Sequence, residues 1–176
     1  MAVRSGSMSI KLPGQPSGEA CPTPGSADST HALDDDALVD MLAGARTVAV
    51  VGASPNDHRT SYSIAAWLMT RTPFEVYLVN PMAEGQEIRG HGFYASLAEL
   101  PVVPDIVDVF RRSEHVPPVA DDAIAVGAHA LWMQLGVSHP ESAALARDAG
   151  LDVVQDRCIK VEYERLRDAV EQAAAE

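Results

Sequence analysis

Gly52, Ser54, Arg59, Thr60 and Ser61 fall within ten positions and combine the groups that hold a phosphate. A loop glycine lets the backbone come close to an anion, and arginine's planar fork donates two hydrogen bonds at once. The stretch matches neither of the commonest phosphate motifs. A P-loop requires Gly, four residues and then Gly-Lys-Ser/Thr, and a dinucleotide fingerprint requires G-x-G-x-x-G. Here Gly52 is followed by Ala53-Ser54-Pro55-Asn56-Asp57. Further candidates for an anion are Arg111, Arg112 and Arg157, with Asn80 and Gln134 as polar companions; the alternative for Arg111 and Arg112 is pairing with Glu114 or Asp108. Residues suited to bond-making are scarcer. The histidines, at 31, 58, 91, 115, 129 and 139, have no metal-ligand or nucleophile–base spacing, and each reads as a solvated loop residue. Ser54 lacks the G-x-S-x-G elbow of a nucleophile. Cys158, next to Arg157, reads as a half-buried, inert thiol. These residues point to binding.

The elements that position them follow from the apolar pattern. Thr47-Val48-Ala49-Val50-Val51 is a short run with no polar side, as in a parallel strand covered on both faces. A helical pattern begins at Tyr62 with Ile64, Ala65, Trp67, Leu68 and Met69. Strand, glycine loop and helix form the first half of a βαβ unit, in which the loop and the helix N-terminus favour phosphate. The pattern then repeats. Val76–Val79 is a second strand, residues 80–95 a Gly-rich connection, and Ser96–Leu100 a short helix. Ile106–Phe110 is a third strand, followed by a helix capped by Ser113 and ending at Gly127. Ala130–Met133 is a fourth strand, with a helix from Ser138 to Gly150. Asp152–Val154 is a fifth, with a last helix from about Val161. Ahead of the first strand, Asp34 caps a helix carrying Leu38, Val39, Met41 and Leu42. The expected fold is α/β, a Rossmann-like doubly wound sheet of five parallel strands in the order 3-2-1-4-5, with helices on both faces. Its carboxyl edge gathers Gly52–Thr60, Asn80–Met82, Phe110–Arg112, Gln134–Gly136 and Asp156–Cys158. Trp67, Trp132 and Met133 read as core.

The 176 residues suffice for one domain. A formal net charge of −12 argues against nucleic acid and against anionic membrane surfaces. No apolar run is long enough to span a bilayer. Two distant cysteines, Cys21 and Cys158, give no disulfide framework, which suits a reducing cytoplasm. Residues 1–30, rich in Ser, Gly, Pro and Ala, read as a disordered tail ahead of a domain over 31–176, with Met8 an alternative start. An NAD site usually carries an acid after the second strand, and here Asn80-Pro81 stands there.

Val51-Gly52-Ala53-Ser54, Arg59-Thr60-Ser61-Tyr62-Ser63, Val79-Asn80-Pro81, Asp108-Val109-Phe110-Arg111-Arg112-Ser113-Glu114, Trp132-Met133-Gln134-Leu135-Gly136 and Asp156-Arg157-Cys158-Ile159-Lys160 occur in this order. Together they resemble the small bacterial CoA-binding proteins, single domains similar to the CoA-binding domain of the succinyl-CoA synthetase α subunit. The resemblance covers about residues 45–166. It implies coenzyme A or an acyl-CoA held across the carboxyl edge. Gly52, Ala53 and Ser54 would approach the phosphates; Arg59, Thr60 and Ser61 would reach them from the first helix; Asn80 and Pro81 would lie near the adenosine. Phe110, Arg111, Arg112 and Gln134, from the same motifs, complete the candidate set. Synthetase relatives often have a lysine soon after that proline, whereas Met82-Ala83-Glu84 follows here. Their chemistry uses a phosphorylated histidine in a second domain, which this chain is too short to contain. The expectation is non-catalytic binding of CoA, with any protein partner unidentified. The alternatives are a partner subunit of an acyl-CoA ligase or transferase, and an NAD- or nucleotide-binding regulator.

Overall fold

The computed structural model describes residues 33–175; the expectations for residues 1–30, Met8, Cys21 and His31 lie outside them. The strands are β1 (Thr47–Val51), β2 (Glu75–Val79), β3 (Glu87–Ile88), β4 (His91–Tyr94), β5 (Ile106–Val109), β6 (Ala130–Met133) and β7 (Asp152–Val154). The helices are α1 (Asp35–Gly44), α2 (Thr60–Arg71), α3 (Val116–Val126), α4 (Pro140–Asp148) and α5 (Ile159–Ala173). All five residues of β1 are buried, as its unbroken apolar run requires of a central parallel strand.

Successive residues of each strand face opposite layers. Val48, Val50, Ile106 and Trp132 meet one layer, in which Leu38, Ile64, Leu68, Ile159 and Tyr163 of α1, α2 and α5 pack. Ala49, Val51, Val107 and Met133 meet the other, built from Val119, Ala123, Ala143 and Ala146 of α3 and α4. Helices therefore cover both faces, and Trp132 and Met133 are core. Trp67 is half-buried, edge-on to Tyr163 with centroids 5.8 Å apart.

The sheet has seven strands, not five, in the order β3-β4-β2-β1-β5-β6-β7. Two expectations are corrected. The connection 80–95 contains a hairpin, turning at Arg89 and Gly90, both at positive φ (53° and 84°). Its second strand, β4, pairs in parallel with the outer side of β2 through Leu78–Phe93 and Val79–Tyr94. That occupies the place expected for the strand at Ile106, which lies instead on the far side of β1, Val50 beside Asp108. The five strands foreseen thus run 2-1-3-4-5. Asp105 fixes this pairing: its Oδ2 accepts hydrogen bonds from the Arg46 and Thr47 amides and the Thr47 hydroxyl, at 2.8–2.9 Å. The order of connection reverses between β1 and β5, the switch point at which doubly wound sheets bind ligands.

Several helix starts also shift. Asp34 caps α1 as expected, accepting from the Ala37 amide at 2.9 Å. Ser113 opens a 3-10 turn, and α3 begins at Val116 with Pro117 and Pro118 in its first turn. His139, not Ser138, caps α4, its Nδ1 accepting from the Ser142 amide at 3.2 Å. Helix α5 starts at Ile159, directly after Cys158, and the stretch at Ser96–Leu100 is a single 3-10 turn over Leu97–Glu99.

Candidate cofactor-binding edge

Gly52 ends β1 at φ +84°, a conformation open to glycine and costly for other residues. Its amide donates to the Val79 carbonyl at 2.9 Å, so the chain turns outward between β2 and β5. A Cβ there would lie 3.3 Å from the Phe110 carbonyl carbon and 3.3 Å from Cδ of Arg111. Gly52 therefore lets two neighbouring loops pack against each other at the switch point. Asn56 organises the loop beyond: its side chain accepts from the His58 amide, and its carbonyl from the Arg59 amide. Asn80 ties the loop to β2, donating from Nδ2 to the Ala53 carbonyl at 2.8 Å while its Oδ1 accepts from Met82.

Helix α2 begins without a side-chain cap. Among the described residues no acceptor meets the Thr60 and Ser61 amides, and the positive end of the helix dipole adds to them. They border a cavity of about 340 Å³ lined by Gly52, Ser54, Arg59, Thr60, Ser61 and Phe110. On the opposite side of Gly52 lies a more apolar cavity of about 320 Å³. Val51, Val79, Pro81, Leu97 and Val119 form its walls, with Arg111, His115, Ser96 and Asp122 also lining it. Arg111 is common to both sides, since its stem rests on Gly52 and its side chain lines the apolar cavity. Neither Arg59 nor Arg111 forms an ion pair with a carboxylate among the described residues.

The candidate residues divide into three groups. Gly52, Ser54, Arg59, Thr60, Ser61 and Phe110 share the polar cavity, and Pro81 and Arg111 line the apolar one. Ala53 is fully buried and offers only its backbone; Asn80 positions the loop. Arg112 and Gln134 stand apart. Arg112 is largely exposed beside Glu114, 3.9 Å away. Gln134 is buried and turns inward, donating from Nε2 to Asp108 Oδ1 at 2.8 Å. Arg157, gathered at this edge by the strand ends, pairs with Glu162 at 3.9 Å, and its carbonyl accepts from Trp132 Nε1 at 2.7 Å. His115, Ser96 and Leu97 were missed as lining residues because the 3-10 turns bearing them have no periodicity.

Asp108, the partner of Gln134, is buried too, at 0 % exposure. Burial pushes its carboxyl up to about 8, against the opposing effect of the Gln134 hydrogen bond. At the amino edge, burial raises the Asp105 carboxyl, but hydrogen bonds from Arg46 and Thr47 outweigh this and hold it below its ordinary value. His129 stands 3.1 Å from it. Among the described residues no group of three His, Cys, Asp or Glu could hold a metal ion, and no helix is long and apolar enough to cross a membrane.

A larger hollow of about 490 Å³ lies between the ends of α1, α2 and α5, lined by Leu42, Arg46, Thr72, Tyr163 and Val170 among others. The carboxyl ends of three helices converge there, and their carbonyls disfavour an anion.

Fold and site together define a doubly wound α/β domain with a polar cavity and a more apolar one at the carboxyl edge of its sheet. The chain belongs to the CoA binding domain family, whose model matches residues 46–164. It is 35% identical over 126 residues to the uncharacterized protein YneT of Bacillus subtilis, covering 72% of this chain and 91% of YneT. Among solved structures it resembles cell-free ID.343 from Thermus thermophilus, with a TM-score of 0.72 and 34% identity over 76% of this chain and 99% of that one. A hypothetical protein from Pyrococcus horikoshii OT3 also matches, with a TM-score of 0.72 and 32% identity over 77% and 93% of the two chains.

Proposed function

We propose that this protein binds coenzyme A or an acyl-CoA at the carboxyl edge of its sheet, as a binding module without chemistry of its own. The pairing of cavities around Gly52 carries this reading. The apolar slot between Val79, Pro81, Leu97 and Val119 suits a purine. The cradle of Gly52, Ser54 and the unpaired Thr60 and Ser61 amides suits a pyrophosphate. Arg59 and Arg111, free of carboxylate partners among the described residues, supply charge for the pyrophosphate and for the additional phosphate that distinguishes CoA from most adenine nucleotides. Membership of the CoA binding domain family supports the same ligand.

NAD is disfavoured because no acid follows β2: Asn80 occupies that position, and its side chain is committed to Ala53 and Met82. Parallel calorimetric titrations with CoA, acetyl-CoA, NAD and ATP test the assignment. CoA and acetyl-CoA should bind much more tightly than NAD or ATP. Equal or tighter binding of NAD would overturn it in favour of a dinucleotide regulator. Steady acyl-CoA synthesis from acid, CoA and nucleotide by the repurified protein would overturn the reading as a binding module.

A further inference from the structure

Asp108 raises a question that core packing does not answer. It sits in β5 between Val107 and Val109, fully buried, and a valine or leucine there would cost less. Oδ1 accepts from Gln134 Nε2, while Oδ2 is the one buried side-chain polar atom among the described residues without a hydrogen-bond partner. Phe110 and Arg111, which border the two cavities, follow two and three residues later, just past the end of the strand. At about 3.3 Å per residue, the Asp108 and Arg111 backbones lie within about 10 Å of each other.

Its surroundings do not neutralise a charge. Val50 flanks it from β1, Trp132 from β6, and Gln134 from just past the end of β6. The helix layer on that face packs apolar side chains, with Ser61, Tyr62, Tyr163 and Cys158 as its weakly polar members; the carboxylate in the first turn of α5, Glu162, is paired with Arg157 and Arg165. The cations at the nearby chain ends, Arg59, Arg111, Arg157 and Lys160, make no ion pair with Asp108. Burial, opposed only by the Gln134 amide, governs its proton.

We propose that Asp108 is a positioning residue for anion binding: as the neutral acid it holds Gln134 beside the switch point, and on losing its proton it sets a buried negative charge behind the phosphate cradle and weakens the ligand's hold. This deepens the CoA reading and rests on it. A polar residue behind an anion site must satisfy Gln134 without repelling the ligand, and a protonated carboxyl does both. Ionisation should loosen binding by about tenfold, the effect of a unit charge about 10 Å away at an effective dielectric near 20.

The test is the pH dependence of acetyl-CoA affinity between about pH 7.5 and 9.5, measured by calorimetry on the full chain and on Asp108→Asn. Acetyl-CoA has no free thiol to titrate, and its phosphates are already ionised. The parent should lose about tenfold in affinity across this range, whereas Asp108→Asn should change less than about twofold. A flat parent profile, or an equal slope in the variant, would overturn the proposal. If Asp108→Asn fails to fold, the infrared carboxyl band of the parent decides. The protonated-acid band should disappear over the same pH interval as the affinity; its absence at pH 7.5 overturns the proposal. ADP, titrated in parallel, separates this inference from the ligand assignment. If ADP shows the pH effect while acetyl-CoA does not bind, the CoA reading fails and the role of Asp108 stands. If neither binds, both fail.

Discussion

Replacing Gly52 by valine imposes two penalties that can be worked from the geometry. At φ +84° an L-residue is strained, by about 1–2 kcal/mol and more for a β-branched one. The added Cβ also meets the Phe110 carbonyl carbon at 3.3 Å, and that backbone cannot swing away freely, because the Phe110 amide donates to Val51 at 2.8 Å. Forcing such a contact adds about 1–3 kcal/mol. The sum, about 2–5 kcal/mol, should lower the melting temperature by about 4–20 °C while leaving a folded protein. The lost space lies where the polar cavity and the Arg111 stem meet, so binding should suffer more than stability. Differential scanning calorimetry and CoA titration on the same samples provide both readings. CoA binding should fall below detection at concentrations that saturate the parent. A variant as stable as the parent, or one that binds CoA as well, would refute the assignment of this loop to the ligand.

Arg59→Ala should weaken CoA binding by about 1.5–3 kcal/mol, the loss of a charge-assisted hydrogen bond, with an unchanged melting temperature because Arg59 is exposed and has no ion-pair partner among the described residues. An unchanged dissociation constant would exclude it from the phosphate site. Asp105→Ala should cost about 1–3 kcal/mol in urea unfolding at neutral pH while leaving ligand affinity alone, since it cuts the tie between Thr47 and β5 at the opposite edge. The carboxyl is held below its ordinary value, so its contribution is complete above the model-peptide range and lost as pH falls through the lowered value. A penalty that persists undiminished in strong acid would contradict this. Asp108→Asn should gain stability relative to the parent as pH rises. A raised carboxyl stabilises fully below about 3.8, and the advantage is lost as pH climbs to about 8, by up to about 1.4 kcal/mol per pH unit. A stability difference that does not change with pH would show that Asp108 is already ionised in the fold.

The parallel strands were readable because being covered on both faces demands runs with no polar side, and Val48–Val51 and Leu131–Met133 supply them. Hairpin β3–β4 was not. Ile88 is buried, but Glu87, Gly90, His91 and Gly92 are exposed, so neither period two nor an apolar run marks it. Missing it misplaced β5, because strand order depends on which edge of β2 is already paired. The loop that lines the polar cavity was legible through Gly52 and the polar run up to the start of α2. The apolar cavity was not, since Leu97, Arg111, His115 and Val119 come from three separate segments. Gln134 illustrates a different limit. Its place at a strand end was read correctly, but the direction of its side chain depends on Asp108, a residue on the neighbouring strand.

The most direct measurement is a ¹H–¹⁵N correlation spectrum of the labelled protein with and without CoA. The amides of Gly52, Ser54, Thr60, Ser61 and Phe110 should shift, together with those of Leu97, Arg111 and His115 across the apolar cavity, while Arg46, Thr70 and Thr72 stay in place. Shifts confined to the hollow between the ends of α1, α2 and α5, or no shifts at saturating CoA, would contradict a coenzyme A site at the switch point.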